Sequence, residues 1–181
     1  MNKQLKTVAA LSSILIFTAC GESQKNQSVE VNTAKEVKAE KKRTADIADA
    51  SFKDGMTGKI FHNYLQVKMA LVNSDSDGVQ KAAEELAESF GKERGEMKLI
   101  AEQIAQRDEL EEQRQLFSDL TNKVTPLIEE NLNGGTIYKK YCPMAFNNQG
   151  AYWLSDIEEI NNPYFGDKML RCGKIEKVIK K

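Results

Sequence analysis

The segment spanning residues 138–173 concentrates the side chains of this sequence that are best suited to chemistry. Cys142 lies two positions before Met144, and Met169 lies three positions before Cys172. Thiolates and thioethers are the soft donors that select Cu(I) over hard cations. If the intervening residues fold back, the four sulfur atoms converge. The spacing therefore predicts a binding site for Cu(I) or another soft metal ion at these four residues.

The same two cysteines also suit a disulfide. The sequence contains three cysteines, and Cys20 belongs to a separate motif described below. A Cys142–Cys172 bond would close a loop of about 30 residues and, on the chain-entropy model, stabilise the fold by roughly 3 kcal/mol. Met144 and Met169 would then fill core space, as methionine often does. The residue types leave a metal site and a disulfide open as alternatives.

Aromatic residues surround both sulfur pairs in this segment. We expect them to form an apolar collar that limits the access of water and oxidants to the sulfurs. Its predicted members are Tyr138, Tyr141, Phe146, Tyr152, Trp153, Tyr164 and Phe165.

The N-terminal residues are typical of an export signal. Lys3 and Lys6 precede the apolar run "TVAALSSILIFTA", which ends directly before Cys20. As a helix this run covers about 20 Å, less than the roughly 30 Å of a bilayer core, so residues 1–19 are predicted to be a signal peptide. The letters "FTAC" resemble the bacterial lipobox, whose cysteine is acylated and becomes the mature N-terminus. We therefore expect a lipoprotein anchored through Cys20 in the bacterial cell envelope, on the periplasmic side.

Residues 20–50 are predicted to form a disordered tether behind this anchor. They contain almost no large apolar side chains, so burial cannot offset the entropy of ordering them. The envelope compartment that the signal implies is oxidising, which favours the disulfide alternative.

Residues 51–181 are predicted to form one helical domain. Apolar residues recur at three- and four-residue intervals in four stretches, at 55–73, from Val79 to Phe90, around Met97 to Ile104, and at 108–132. Short connections between such helices favour antiparallel neighbours. We therefore expect an all-α fold, an up-and-down bundle of three or four helices with Phe117 in its core. The aromatic-rich C-terminal segment would pack on the bundle as a partly irregular chain.

The C-terminal segment also resembles a family of unknown function found in envelope proteins of Gram-negative bacteria. The resemblance rests on four blocks, "CPMA" from Cys142, "GAYWL" from Gly150, "NPYFG" from Asn162 and "MLRCG" from Met169. The helical stretches "YLQVKMALVNSD" and "LEEQRQLFSDLTNKV" are similar to the same family. Its domain is often appended to heavy-metal efflux adaptor proteins. The resemblance therefore implies the handling of copper or a similar soft metal, with efflux components as partners.

Other classes of function find little support in the sequence. The formal net charge is −1 and acids and bases are interleaved, so no basic stripe for nucleic acid is present. His62 is the only histidine, which makes a catalytic relay with Cys142 or an axial haem ligand improbable. We therefore expect a protein that is not an enzyme. Two hypotheses remain, a tethered Cu(I)-binding protein and a disulfide-stapled module that docks an envelope or efflux partner.

Overall fold

The computed structural model describes residues 50–181, and four long helices begin and end close to the positions that the apolar periodicity predicts. The helices are α1 (Gly55–Val72), α2 (Ser76–Ser89), α3 (Gly95–Ala105) and α4 (Leu110–Asn131). The predicted signal peptide, the Cys20 lipidation site and the tether up to residue 49 lie outside the described residues. None of the helices in the described part is both long and apolar enough to span a bilayer.

Aspartate side chains cap the N-termini of the first two helices. The Asp54 carboxylate accepts the Thr57 amide at 2.8 Å, and the Asp75 carboxylate accepts the Gly78 amide at 3.0 Å. These bonds satisfy amides that have no partner inside the helix. Asp75 lies in the "NSDSDG" stretch between the first two helices. That stretch therefore supplies both the turn and the cap of α2.

The all-α prediction is wrong, because the chain after α4 forms strands. The strands are β1 (Ser51–Phe52), β2 (Leu132–Gly134), β3 (Thr136–Cys142), β4 (Ala151–Ser155) and β5 (Lys174–Lys180). β1 and β2 form an antiparallel ribbon, and a second antiparallel sheet has the order β4-β3-β5. The fold is therefore mixed α and β, and the C-terminal segment is a sheet with long connections rather than an irregular appendage.

The core lies between the helices and the inner face of the three-stranded sheet. Phe117 is fully buried, which confirms its predicted place in the core, and its ring stacks on Tyr64 with centroids 4.9 Å apart. Trp153 on β4 is also fully buried. Helix and sheet side chains thus share one apolar cluster.

Two tyrosine hydroxyls cover the outer edge of β4. The Tyr64 hydroxyl on α1 accepts the Leu154 amide at 3.1 Å and bonds Thr121 on α4 at 2.8 Å. The Tyr164 hydroxyl donates to the Tyr152 carbonyl. An edge strand exposes backbone groups that need partners, and here buried side chains of the helical layer and of a connecting loop supply them.

A buried ion pair also joins the two layers. Lys68 of α1 places its ammonium nitrogen 3.9 Å from a carboxylate oxygen of Asp156, just beyond β4, and both side chains are almost fully buried. The same nitrogen lies 3.4 Å from the Ser155 hydroxyl. Lys68, although it lies among apolar residues of α1, thus contacts polar groups at the end of β4.

Candidate functional site

The antiparallel pairing of β3 and β5 brings the two cysteines together. Cys142 is the last residue of β3, and Cys172 lies two residues before β5. Because Tyr141 is paired with Lys174, the chain leaving β3 runs beside the chain entering β5. The two sulfur atoms lie 3.3 Å apart although the residues are 30 positions apart in sequence. Both are free thiols in this structure.

The two thiols lie at different depths. Cys142 is fully buried, whereas Cys172 is partly exposed. Burial is the main cause that raises the pKa of the Cys172 thiol, and the hydrogen bond with Cys142 and its charge raise it further. A raised pKa keeps the thiol protonated at neutral pH, and this proton must leave before the sulfur can bind a metal or attack a disulfide.

The structure does not bury the two methionines with the thiol pair. Met144 lies in the turn after β3 with 47% of its surface exposed. Met169 is half-buried and follows the short 3-10 turn Gly166–Lys168. Its carbonyl accepts the Cys172 amide at 3.0 Å, so the backbone fixes Met169 relative to Cys172. Each thiol thus has a thioether within three residues.

The donors that the structure brings into contact at this position are the two thiol sulfurs. Within residues 50–181, no group of three or more histidine, cysteine, aspartate or glutamate side chains is arranged to hold a metal ion. Two adjacent thiols with thioethers close by in the chain suit a soft ion such as Cu(I) and not a hard cation. The chemistry of the residues present therefore fits the predicted class of metal.

The predicted aromatic collar divides into an outer and an inner group. Tyr141 and Tyr152 are paired across β3 and β4, and their rings contact each other with centroids 4.7 Å apart. Cys142 is paired with Ala151 and, by the alternation of side chains along a strand, faces the opposite side. Trp153 shares that inner side.

Tyr164 is the centre of the inner group. Its ring meets Phe146 and Trp153 edge-on, at centroid distances of 5.3 Å and 6.1 Å. It also reaches Phe117 of α4 at 6.2 Å. Burial is the main cause that raises the pKa of Tyr164 well above its usual value. Of the predicted collar, this inner group belongs to the same apolar cluster as Cys142.

The turn between the two thiol-bearing regions has an unusual backbone that the sequence reading missed. Phe146, Asn147 and Asn148 all have positive φ angles, at 52°, 56° and 66°. They form a short left-handed turn within the segment Ala145–Asn148. Gly150 follows at φ 81°, where a side chain would collide with the Tyr141 ring. Asparagine and glycine tolerate this region best, so the letters "NNQG" carried the signal for this turn.

Asn162 is a second feature that the sequence reading missed. Its side-chain amide donates to the Cys172 carbonyl at 2.6 Å, and its side-chain oxygen accepts the Tyr164 amide at 2.8 Å. Its backbone amide donates to the Leu170 carbonyl at 2.9 Å. Asn162 is fully buried. Asparagine before proline is a turn signal, but nothing local indicates which distant carbonyl the side chain reaches.

Arg114 holds the same loop from the helical side. Its guanidinium donates to the Pro163 carbonyl at 3.0 Å and to the Ser74 hydroxyl at 3.2 Å. Burial is the main cause that lowers the pKa of Arg114, and the charge of Glu111 opposes the shift. The loop that carries Asn162 is therefore tied to α4 and to the end of α1.

A family model described as "Protein of unknown function (DUF3347)" matches residues 60–134. This stretch contains most of α1, all of α2 to α4, and β2. The match supports a relationship with a family of unknown function. The C-terminal blocks from Cys142 to Cys172, on which much of the resemblance rested, lie beyond the matched residues.

No curated protein and no solved structure matches the chain.

Proposed function

We propose that this protein is a lipoprotein of the bacterial cell envelope that binds Cu(I), or another soft heavy-metal ion, for resistance or efflux. The observation that carries the proposal is the contact of the Cys142 and Cys172 sulfurs at 3.3 Å. Cys142 at the end of β3 and Cys172 two residues before β5 bring two soft donors together. Cys142 and Cys172 would be the primary ligands, and Met144 and Met169 weaker ones. The protein would act by binding, not as an enzyme.

The protonation of the thiols sets the conditions for binding. Metal ions bind the thiolate, so each thiol must release its proton. Because the Cys172 pKa is raised, chiefly by burial, Cys172 releases its proton less readily than an ordinary thiol. We expect the affinity for Cu(I) to fall as the pH falls, and binding to release protons into the solution.

A second candidate function follows from the same contact. Sulfurs 3.3 Å apart need little movement to form a disulfide. In an oxidising envelope the pair would then staple β3 to the chain before β5. The protein would in that case be an interaction module, docking an envelope or efflux partner through its aromatic C-terminal segment. The full burial of Cys142 and the exposure of Met144 favour this alternative.

Competitive titration with Cu(I) separates the two candidates. The full chain is prepared in a Cys20→Ser background, so that Cys142 and Cys172 are its only thiols, and is reduced before a chromogenic Cu(I) chelator is added. We expect one ion per chain, abolished by Cys142→Ser or Cys172→Ser. Met144→Leu is expected to weaken binding. Met56→Leu is the matched control, because Met56 is 48% exposed and Met144 47%.

The outcome of the titration decides between the candidates. If the reduced protein competes no better than the variant lacking both cysteines, the metal proposal fails and the stapled module takes its place. Equal binding by Met144→Leu and Met56→Leu would exclude Met144 from the proposed ligands.

The envelope location has its own test. Cys20 is expected to be acylated, so the wild-type protein should enter the detergent phase when cells are extracted with a phase-separating detergent. Cys20→Ser should leave that phase or accumulate with its signal peptide uncleaved. An unmodified Cys20 in the mature wild-type protein would contradict the lipoprotein proposal.

A further inference from the structure

We infer that Asn162 is the positioning residue of the thiol pair, holding Cys172 where it meets Cys142. The inference rests on the proposed function only for its metal readout, because the contact of the two thiols can be measured independently. Cys172 lies outside the strands, in the connection between the 3-10 turn and β5.

The hydrogen bonds of Asn162 tie this connection to the loop that carries Asn162. The Asn162 backbone donates to the Leu170 carbonyl at 2.9 Å, and its side chain donates to the Cys172 carbonyl at 2.6 Å. Two carbonyls on either side of Arg171 are thereby fixed by one residue. The Cys172 amide is occupied by the Met169 carbonyl at 3.0 Å. Hydrogen bonds from Asn162 and the bond between Met169 and Cys172 therefore fix the path of the backbone from Met169 to Cys172.

Asn162 is itself held by hydrogen bonds from neighbouring residues. Its side-chain oxygen accepts the Tyr164 amide and its carbonyl accepts the Gly166 amide, at 2.8 Å and 3.1 Å. Arg114 grips the intervening Pro163 carbonyl. Since Asn162 is fully buried, water does not compete for its amide group. Through Arg114 and Asn162, hydrogen bonds thus connect α4 to the backbone of Cys172.

Groups that orient metal ligands without touching the metal typically account for roughly 10–100-fold in affinity. We expect an effect of the same order on the thiol–disulfide equilibrium, because it also needs the two sulfurs together. We therefore expect Asn162→Ala to weaken Cu(I) binding by at least about 10-fold. Asn162→Asp keeps the shape and the acceptor for Tyr164 but loses the donor to Cys172, and it should have a similar effect.

The decisive measurement is the thiol–disulfide equilibrium with glutathione. In this exchange Cys142 and Cys172 lose two protons and two electrons and form one disulfide, while one glutathione disulfide is reduced to two glutathione thiols. The equilibrium constant reports how well the fold presents the two sulfurs to each other. We expect both Asn162 variants, in the full chain with Cys20→Ser, to lower this constant by at least about 10-fold.

Asn63→Ala is the matched control. Asn63 is also buried, and its side-chain amide donates to the Glu85 carbonyl and the Ser89 hydroxyl at 3.0 Å and 2.7 Å. These contacts lie between α1 and α2. Loss of them should lower the stability of the protein and leave the glutathione equilibrium unchanged. A merely structural role of Asn162 would give the same pattern.

The possible outcomes are distinct. If the Asn162 variants keep a folded far-UV spectrum and match the wild-type glutathione equilibrium, the inference is overturned. If the wild type binds no Cu(I) but the Asn162 variants alter the equilibrium, the proposed function fails and the positioning role stands.

Wild-type NMR covers the case in which neither Asn162 variant folds. The side-chain amide protons of Asn162 should then exchange with water far more slowly than those of exposed Asn148. Equal exchange would overturn the inference.

Discussion

Cys142 and Cys172 illustrate how burial controls reactivity at the scale of single residues. The two thiols touch, but of the two residues only Cys172 is partly exposed, and so it is the one that a reagent or a metal donor meets first. Its pKa is raised, with burial as the largest cause. A raised pKa leaves less of the reactive thiolate at neutral pH.

The raised pKa of Cys172 predicts a pH dependence of stability in the reduced protein. Folding favours the neutral thiol, so its contribution is fully present below the thiol pKa of the unfolded chain. It is lost as the pH rises through the higher pKa of the folded state. Reduced wild type should therefore lose stability towards alkaline pH more steeply than Cys172→Ser.

Urea unfolding at several pH values measures this difference. The comparison with Cys172→Ser removes the contribution of buried tyrosines such as Tyr64, whose pKa is also raised, mainly by burial. Parallel pH profiles for the two proteins would contradict the prediction.

At the scale of elements, the helices could be predicted from sequence and the strands could not. The apolar spacing of α1 to α4 follows the helical period. In α2 to α4 it marks one buried face, whereas α1 is buried on most of its sides. β3 reads "TIYKKYC", where a bulge between Lys139 and Lys140 breaks the alternation that marks a strand. Lys140 is buried although lysine favours the surface. Thr136, Ile137 and Tyr138 favour a strand, but the burial of Lys140 depends on tertiary contacts.

The meeting of the two cysteines was only partly predictable from the sequence. Their residue type and spacing indicate a shared metal site or disulfide, and the structure places their sulfurs in contact. The role of Asn162 depends on one long-range bond from a side chain to a backbone carbonyl. Periodicity and composition carry no information about such a bond.

The covered edge of β4 gives the prediction at this scale. Tyr64→Phe removes the acceptor of the Leu154 amide and the partner of Thr121. A buried amide left without a partner costs about 1–3 kcal/mol. Urea unfolding should show that loss. Faster hydrogen exchange at the Leu154 amide should accompany it.

Tyr138→Phe is the control for this prediction, because Tyr138 is only half-buried on β3. Its removed hydroxyl should change stability by no more than about 0.5 kcal/mol. Equal losses in the two variants would show that the edge hydrogen bond contributes nothing specific.

At the scale of the whole molecule, a sheet bearing the thiols is fixed to a helical layer that the family match covers. Residues 60–134 supply Tyr64, Lys68 and Arg114, and each bonds a backbone or side-chain group beyond residue 150. The helical layer therefore acts as a scaffold. Its polar contacts set the position of β4 and of the loop that carries Asn162.

The Lys68–Asp156 ion pair tests this view of the molecule. Both side chains are almost completely buried, so removal of one takes an opposite charge away from the other in a buried position. Such a change costs about 3–5 kcal/mol, whereas apolar replacement of both partners is often far less costly. Lys68→Met should therefore destabilise the protein strongly, and the double variant Lys68→Met with Asp156→Leu should recover much of the loss.

Urea unfolding of the single and double variants measures the coupling, and an exposed pair provides the control. Lys98 and Glu102 form an ion pair one helical turn apart at 3.8 Å, with both side chains nearly half exposed. Lys98→Met should change stability by about 0–1 kcal/mol, since surface pairs contribute little. If Lys68→Met costs no more than Lys98→Met, or if the two buried replacements are simply additive, the ion pair does not hold the sheet to the helices. The apolar cluster around Phe117 and Trp153, together with the hydrogen bonds of Tyr64 and Arg114, would then carry that contact.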